Sequence, residues 1–110
     1  MQLKAQRSHY EERFPGAQDH VVLVGEKPVG RLWLCTNEDE IRVLDVAIMP
    51  VHRSEGLGTT LMRSVMADAH TSGRVVRLTV RRDNPRAISF YARLGFEVEA
   101  EDALNLSMTC

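Results

Sequence analysis

A chain of 110 residues, 44% apolar and 26% charged, is sized and composed for one domain, residues 1–110, around one core. Its net charge of −1 offers no Lys/Arg excess for a polyanion, no apolar run nears the ~18 residues of a membrane span, and residues 1–10 are too polar for a secretory signal, which argues against nucleic-acid and membrane partners. Cys35 and Cys110 lie far apart and His9, His20, His52 and His70 form no ligand pattern, so no disulfide framework or metal site is expected, and a reducing cytoplasm fits.

Residues 2–14 carry Leu3, Tyr10 and Phe14 among charges and read as a helix that Pro15-Gly16 stops, giving an N-terminal helix and turn over 1–16. The apolar runs 21–24 and 29–35 flank Gly25-Glu26-Lys27-Pro28, a hairpin signal, and open the core region 20–110. Residues 36–39 are a polar turn. Residues 41–49 are apolar on both faces except for Arg42 and Asp45, the pattern of a central, covered strand. A glycine-bearing polar loop follows Pro50. Leu57, Leu61, Met62, Val65, Met66 and Ala69 then recur at helical spacing up to Ser72-Gly73. Residues 75–80 read as a strand. Asn84 and Pro85 open a second helix as N-cap and first helical residue, and Gly95 closes it. Residues 96–100 and 104–108 complete the set as strands. This order implies a mixed, mostly antiparallel α/β sheet of about six strands with helices on both faces.

The junction after residue 49 carries the first chemical signal. A strand end, a loop with Gly56 and Gly58 and a helix start expose backbone N–H groups at the positive end of a helix dipole, and Arg53 adds a cation. A phosphate or diphosphate suits such a junction, although the same glycines serve an ordinary strand-to-helix turn. The Walker and dinucleotide fingerprints are absent.

Arg53-Ser54-Glu55-Gly56-Leu57-Gly58 resembles the Gln/Arg-x-x-Gly-x-Gly/Ala signature of the GNAT acetyltransferases. Residues 84–96, from Asn84 through Ala87, Phe90 and Tyr91 to Gly95-Phe96, resemble that family's Asn-x-x-Ala-x-x-Phe/Leu-Tyr-x-x-x-Gly-Phe segment. The resemblance runs from about residue 21 to the C-terminus. It implies an acyl-CoA N-acyltransferase-like fold and transfer of an acetyl group from acetyl-CoA to a primary amine of a small molecule or protein. It also implies that the loop, with Thr59 at its end, holds the diphosphate. Backbone groups around Val46, Ala47 and Ile48 would pair with the pantetheine arm, and Asn84 would contact it, although an N-cap role alone would explain Asn84. Tyr91 would protonate the departing thiolate, or else be a core aromatic beside Ile88 and Leu94.

The base is less plainly written. Asp45, a carboxylate inside a covered strand, asks for a purpose or a partner such as Arg42 or Arg77. A glutamate that acts as base in some family members would fall near Arg42 here, a departure from the pattern. Glu40 and His52 are lesser candidates, and Trp33 is either core or a wall of the acceptor site. The family's usual first strand and part of its N-terminal helices find no counterpart in this reading, leaving a sheet edge through which two copies could pair. The short acceptor half keeps a second reading open, a CoA-binding regulatory module with weak or no catalysis.

Overall fold

Alternating apolar residues, giving way to helical spacing after residue 56, set the order of elements. The computed structural model describes residues 2–6 and 14–110, at 2–6 and 53–55 through the backbone alone. One sheet contains β1 (Gln2–Gln6), β2 (Ala17–Val24), β3 (Lys27–Thr36), β4 (Glu40–Ile48), β5 (Val75–Arg81), β6 (Glu97–Glu101) and β7 (Asn105–Thr109). Helix α1 (Leu57–Thr71) links β4 to β5, and α2 (Pro85–Arg93) links β5 to β6. The spatial order is β1-β2-β3-β4-β5-β7-β6. The β4–β5 pair is parallel and the other neighbours are antiparallel. The expected mixed, mostly antiparallel class is found, in a 7-stranded sheet rather than one of about six.

The N-terminus corrects one expectation. Residues 2–6, read as the start of a helix, form β1 and pair with β2 from Gln2↔Leu23 to Gln6↔Asp19. The backbone groups of β2 supply a ladder there, and this pairing overrides the weak helical preference of a short charged segment. The rest of the expected helix, residues 7–13, lies outside the described residues. The sheet edge expected from a missing first strand is therefore covered by β1.

The sheet boundaries follow burial. β2 begins at Ala17 because Ala17 and Asp19 are buried there, and a two-residue turn at Gly25-Glu26 replaces the longer hairpin signal. Val22, Leu32, Val43, Val76, Leu78, Val80, Leu106 and Met108 supply the sheet side of the core. Leu61, Met62, Val65 and Ala69 of α1 pack on them, as do the half-buried Ile88 and Tyr91 of α2 and Leu94 just past its end. Buried aliphatic side chains of this kind contribute about 1.5–3 kcal/mol each.

One irregularity positions the site. Opposite β3, Trp33 pairs with Asp45 and Leu34 with Val43, so Leu44 is an extra residue on β4. A bulge of this kind re-aims the side chains that follow. Before it, Ile41 and Val43 face the core; after it, Val46 and Ile48 do so.

Candidate active site

The site is a cleft between two strands. β4 and β5 pair from Glu40↔Val75 only as far as Val43↔Leu78, whereas β4 stays paired with β3 out to Ile48↔Gly30. Past the bulge, the side of β4 that faced β5 therefore has no strand against it. Backbone N–H and C=O groups left this way are ready to accept another extended chain. Gly30 keeps β3 and β4 close: a Cβ there would collide with the carbonyl oxygen of Ala47.

The loop after β4 is more ordered than its sequence suggests. Pro50–Glu55 form a 3-10 turn, and Gly56 sits at φ 70, in the left-handed region where a glycine is at ease. Helix α1 then starts at Leu57 with no side-chain cap and no acidic residue in its first turn. Its leading N–H groups face out beside the positive end of the helix dipole. Gly58 has no such φ requirement. It lies against α2, where a Cβ would stand 3.6 Å from the ring of Phe90.

α2 forms the far wall. The Asn84 side chain accepts a hydrogen bond from the backbone N–H of Ala87 at 3.2 Å, the N-cap expected for this residue. Tyr91 packs edge-on between Phe90 and Phe96, with ring centroids 5.1 and 5.6 Å away. Tyr91 is thus packed among aromatics and also lines the cleft.

Two adjoining cavities open here. The larger, of about 610 Å³, is lined by Val46, Ile48, Gly56, Gly58, Thr59, Asn84 and Tyr91, with Met62, Arg86, Ala87, Phe90 and Arg93. The smaller, of about 280 Å³, fills the splay between β4 and β5 and is lined by Leu44, Asp45, Val46, Thr79, Arg81, Asn84 and Tyr91, among others. Val46, Asn84, Ala87 and Tyr91 belong to both. Tyr91 thus stands where the two spaces meet. Burial pushes its phenol above the ordinary value, and the negative charge of Asp45 pushes it further the same way. A phenol shifted in that direction stays protonated, as a proton donor must.

The expected residues separate as follows. Seven of the anticipated cofactor residues line the larger cavity. Leu57 is the first residue of α1 and packs against the core, and Ala47 lines neither cavity. Arg53, Ser54 and Glu55 lie in the 3-10 turn, their side chains outside the description. Asp45 is exposed to the smaller cavity rather than buried in a covered strand, because the splay removes β5 from its side. Its suggested partners are engaged elsewhere: Arg77 meets Glu99 at 2.6 Å, and Arg42 meets Glu40 at 3.4 Å. Glu40, at the far end of β4 from the splay, is held in that network. His52 is buried. Trp33 is half-buried opposite Asp45, with the Arg31 guanidinium 5.7 Å from its ring. Sequence reasoning missed Met62, Arg86 and Arg93. The spacing of residues 86, 90 and 93 along one helix face was the available signal.

No helix among the described residues is long and apolar enough to cross a membrane, and no group of three or more His, Cys, Asp or Glu that could hold a metal occurs among them. A sequence model of the Acetyltransferase (GNAT) family matches residues 2–96. The N-alpha-acetyltransferase RimI of Mycobacterium tuberculosis is 32% identical over 96 residues, 87% of this chain and 56% of that protein. The chain thus spans little more than half the length of that relative. The crystal structure of Ard1 from Thermoplasma volcanium superimposes with a TM-score of 0.70 at 25% identity, covering 91% of this chain and 73% of that one. A GNAT family acetyltransferase from Elizabethkingia anophelis, solved with acetyl-CoA bound, shares the fold at a TM-score of 0.79 and 9% identity, covering 98% of this chain and 95% of that one. With its family signature, its splayed sheet and these likenesses together, the chain belongs to the GNAT acetyltransferase family.

Proposed function

We propose that this protein transfers an acetyl group from acetyl-CoA to a primary amine of a small molecule or protein. The observation that carries the reading is the position of Tyr91 at the junction of two cavities, one running to the glycine turn and the other into the splay. The larger space would take the cosubstrate. Its diphosphate would meet the uncapped start of α1 at Gly56, Leu57, Gly58 and Thr59, with Arg53, Ser54 and Glu55 in the preceding turn. Its pantetheine arm would lie along Val46, Ala47 and Ile48 and past Asn84.

The acceptor amine would enter the smaller cavity. Its nitrogen attacks the thioester carbonyl carbon and forms a tetrahedral intermediate. When the C–S bond breaks, the thiolate takes the phenolic proton of Tyr91, and the amine proton passes to Asp45, the carboxylate lining that cavity. Proton return through solvent restores both groups. The free thiols Cys35 and Cys110 suit a reducing cytoplasm. A second reading, a CoA-binding module without turnover, is favoured by the shortness of the segment that joins β1 to β2, residues 7–16.

Tyr91→Phe separates the two. The ring should still pack between Phe90 and Phe96, so fold and CoA affinity persist. With an acceptor found from an amine panel, kcat should fall by about 10²-fold or more while KM changes little. Normal turnover in the variant would refute the assigned role. Bound acetyl-CoA with no turnover of any amine by the wild type would favour the module.

A further inference from the structure

Two arginines on α2 have no task within the fold. Arg31 is paired with Asp19, Arg42 with Glu40, Arg77 with Glu99, Arg81 with Asp83 and Arg82 with Glu101. Arg86 and Arg93 have no carboxylate partner among the described residues. Both are exposed, and both line the larger cavity. They also line a shallow depression of about 440 Å³ with Pro85 and Ser89, which shares the two arginines with that cavity. Residues 86, 90 and 93 share one face of α2, since they are spaced by four and three. Phe90 on that face faces Gly58, where an added Cβ would stand 3.6 Å from its ring, so Arg86 and Arg93 lie one turn before and one turn after the approach of α2 to the glycine turn. Along the helix axis they are about 10 Å apart, within reach of one phosphate group for flexible side chains of this length.

We infer that Arg86 and Arg93 form a subsite for the 3′-phosphomonoester of coenzyme A, and that this subsite lets the protein discriminate coenzyme A from its 3′-dephospho form. This rests on the acetyl-CoA reading above. Coenzyme A carries a diphosphate and, on its ribose, a separate phosphomonoester with a charge of about −1.5 to −2 near neutrality, by analogy with other phosphomonoesters. If the diphosphate occupies the start of α1, the ribose leaves the cavity toward its mouth, where the two guanidiniums stand. A planar guanidinium pairs bidentately with phosphate oxygens, which a diphosphate already engaged by backbone N–H groups does not require.

The test is calorimetric titration of the wild-type protein with coenzyme A and with 3′-dephospho-coenzyme A, repeated on R86A/R93A and on R63A. Arg63 is an exposed arginine of α1 that lines neither the cavity nor the depression. The wild type should bind coenzyme A about tenfold more tightly than the dephospho form, the scale of two solvent-exposed charge pairs. The preference should shrink as salt is raised. R86A/R93A should bind both forms alike, with the affinity of the wild type for dephospho-coenzyme A, and R63A should keep the wild-type ratio. Equal binding of the two forms by the wild type would overturn the subsite and leave the acetyl-CoA reading standing. A preference that survives in R86A/R93A would overturn the assignment to these two residues. Binding of neither form would overturn the acetyl-CoA reading and the subsite with it.

Discussion

Tyr91 and Asp45 are linked by charge as well as by their shared cavity. Burial raises the phenol, and the carboxylate raises it again, so the proton on Tyr91 is held to higher pH than on a free tyrosine. The sign of the pH dependence follows. Turnover that needs the protonated phenol should persist through the neutral range and fall only above the ordinary phenol value of about 10. Asp45→Asn removes the carboxylate but not the burial. That alkaline fall should therefore move to lower pH, and the rate below it should drop by about 10²-fold or more if Asp45 takes the amine proton. A pH–rate profile of Asp45→Asn that overlays the wild type would contradict both roles. A wild-type profile already falling near neutrality would contradict the assignment of Tyr91. Tyr91 was legible from its motif, because the phenol, the N-cap and Gly95 recur at fixed spacing. Asp45 was misread as buried. The near-continuous apolarity of residues 41–49 describes a covered strand, and nothing local records that β5 turns away after Leu78. The extra residue Leu44 and the close approach at Gly30 are likewise tertiary facts without a sequence marker.

At the scale of elements, the two glycines of the turn do different work. Gly56 occupies a left-handed conformation, so any side chain there strains the backbone whether or not a ligand binds. Loss of binding in a Gly56 variant would therefore be ambiguous. Gly58 is helical in φ, and an added Cβ would meet only the Phe90 ring at ordinary contact distance. Gly58→Ala should keep or raise the melting temperature, since alanine is favoured over glycine in a helix by about 0.5–1 kcal/mol. It should also weaken acetyl-CoA by about tenfold or more, because the methyl group stands over the N–H groups meant for the diphosphate. Thermal melts with and without ligand check both halves. Undiminished binding in Gly58→Ala would mean that the anion does not lie against the start of α1. Both helices were readable from periodicity and capping signals. β1 was not, because its single large apolar residue, Leu3, leaves no alternation to detect, and only pairing with β2 defines it.

Across the whole molecule, the two ends of the sheet differ. β6 presents Glu97, Glu99 and Glu101, the last two paired with Arg77 and Arg82, and all its residues are exposed; charged side chains along an edge discourage pairing with another copy. β1 carries one lysine in five residues and, among the described residues, pairs on one side, with β2. Self-association, where it occurs, should therefore run through β1. Light scattering at micromolar concentration should show dimers, and Leu3→Lys should shift them toward monomer without altering CoA binding. A strictly monomeric wild type would remove this idea. The edge anticipated from the sequence, left by a missing first strand, is covered by β1, because residues 2–6, assigned to a helix, form a strand.

Acetyl transfer by this protein requires that the cleft beside β4 take the cosubstrate. Thermal denaturation of the purified protein over a titration of acetyl-CoA measures this without knowledge of the acceptor. A ligand bound to the native state with micromolar affinity should raise the melting temperature progressively, with about 2.7 kcal/mol of added stability when free ligand reaches a hundred times Kd. The account predicts that rise in the wild type and its reduction in Gly58→Ala. An unchanged melting temperature at millimolar acetyl-CoA would contradict it.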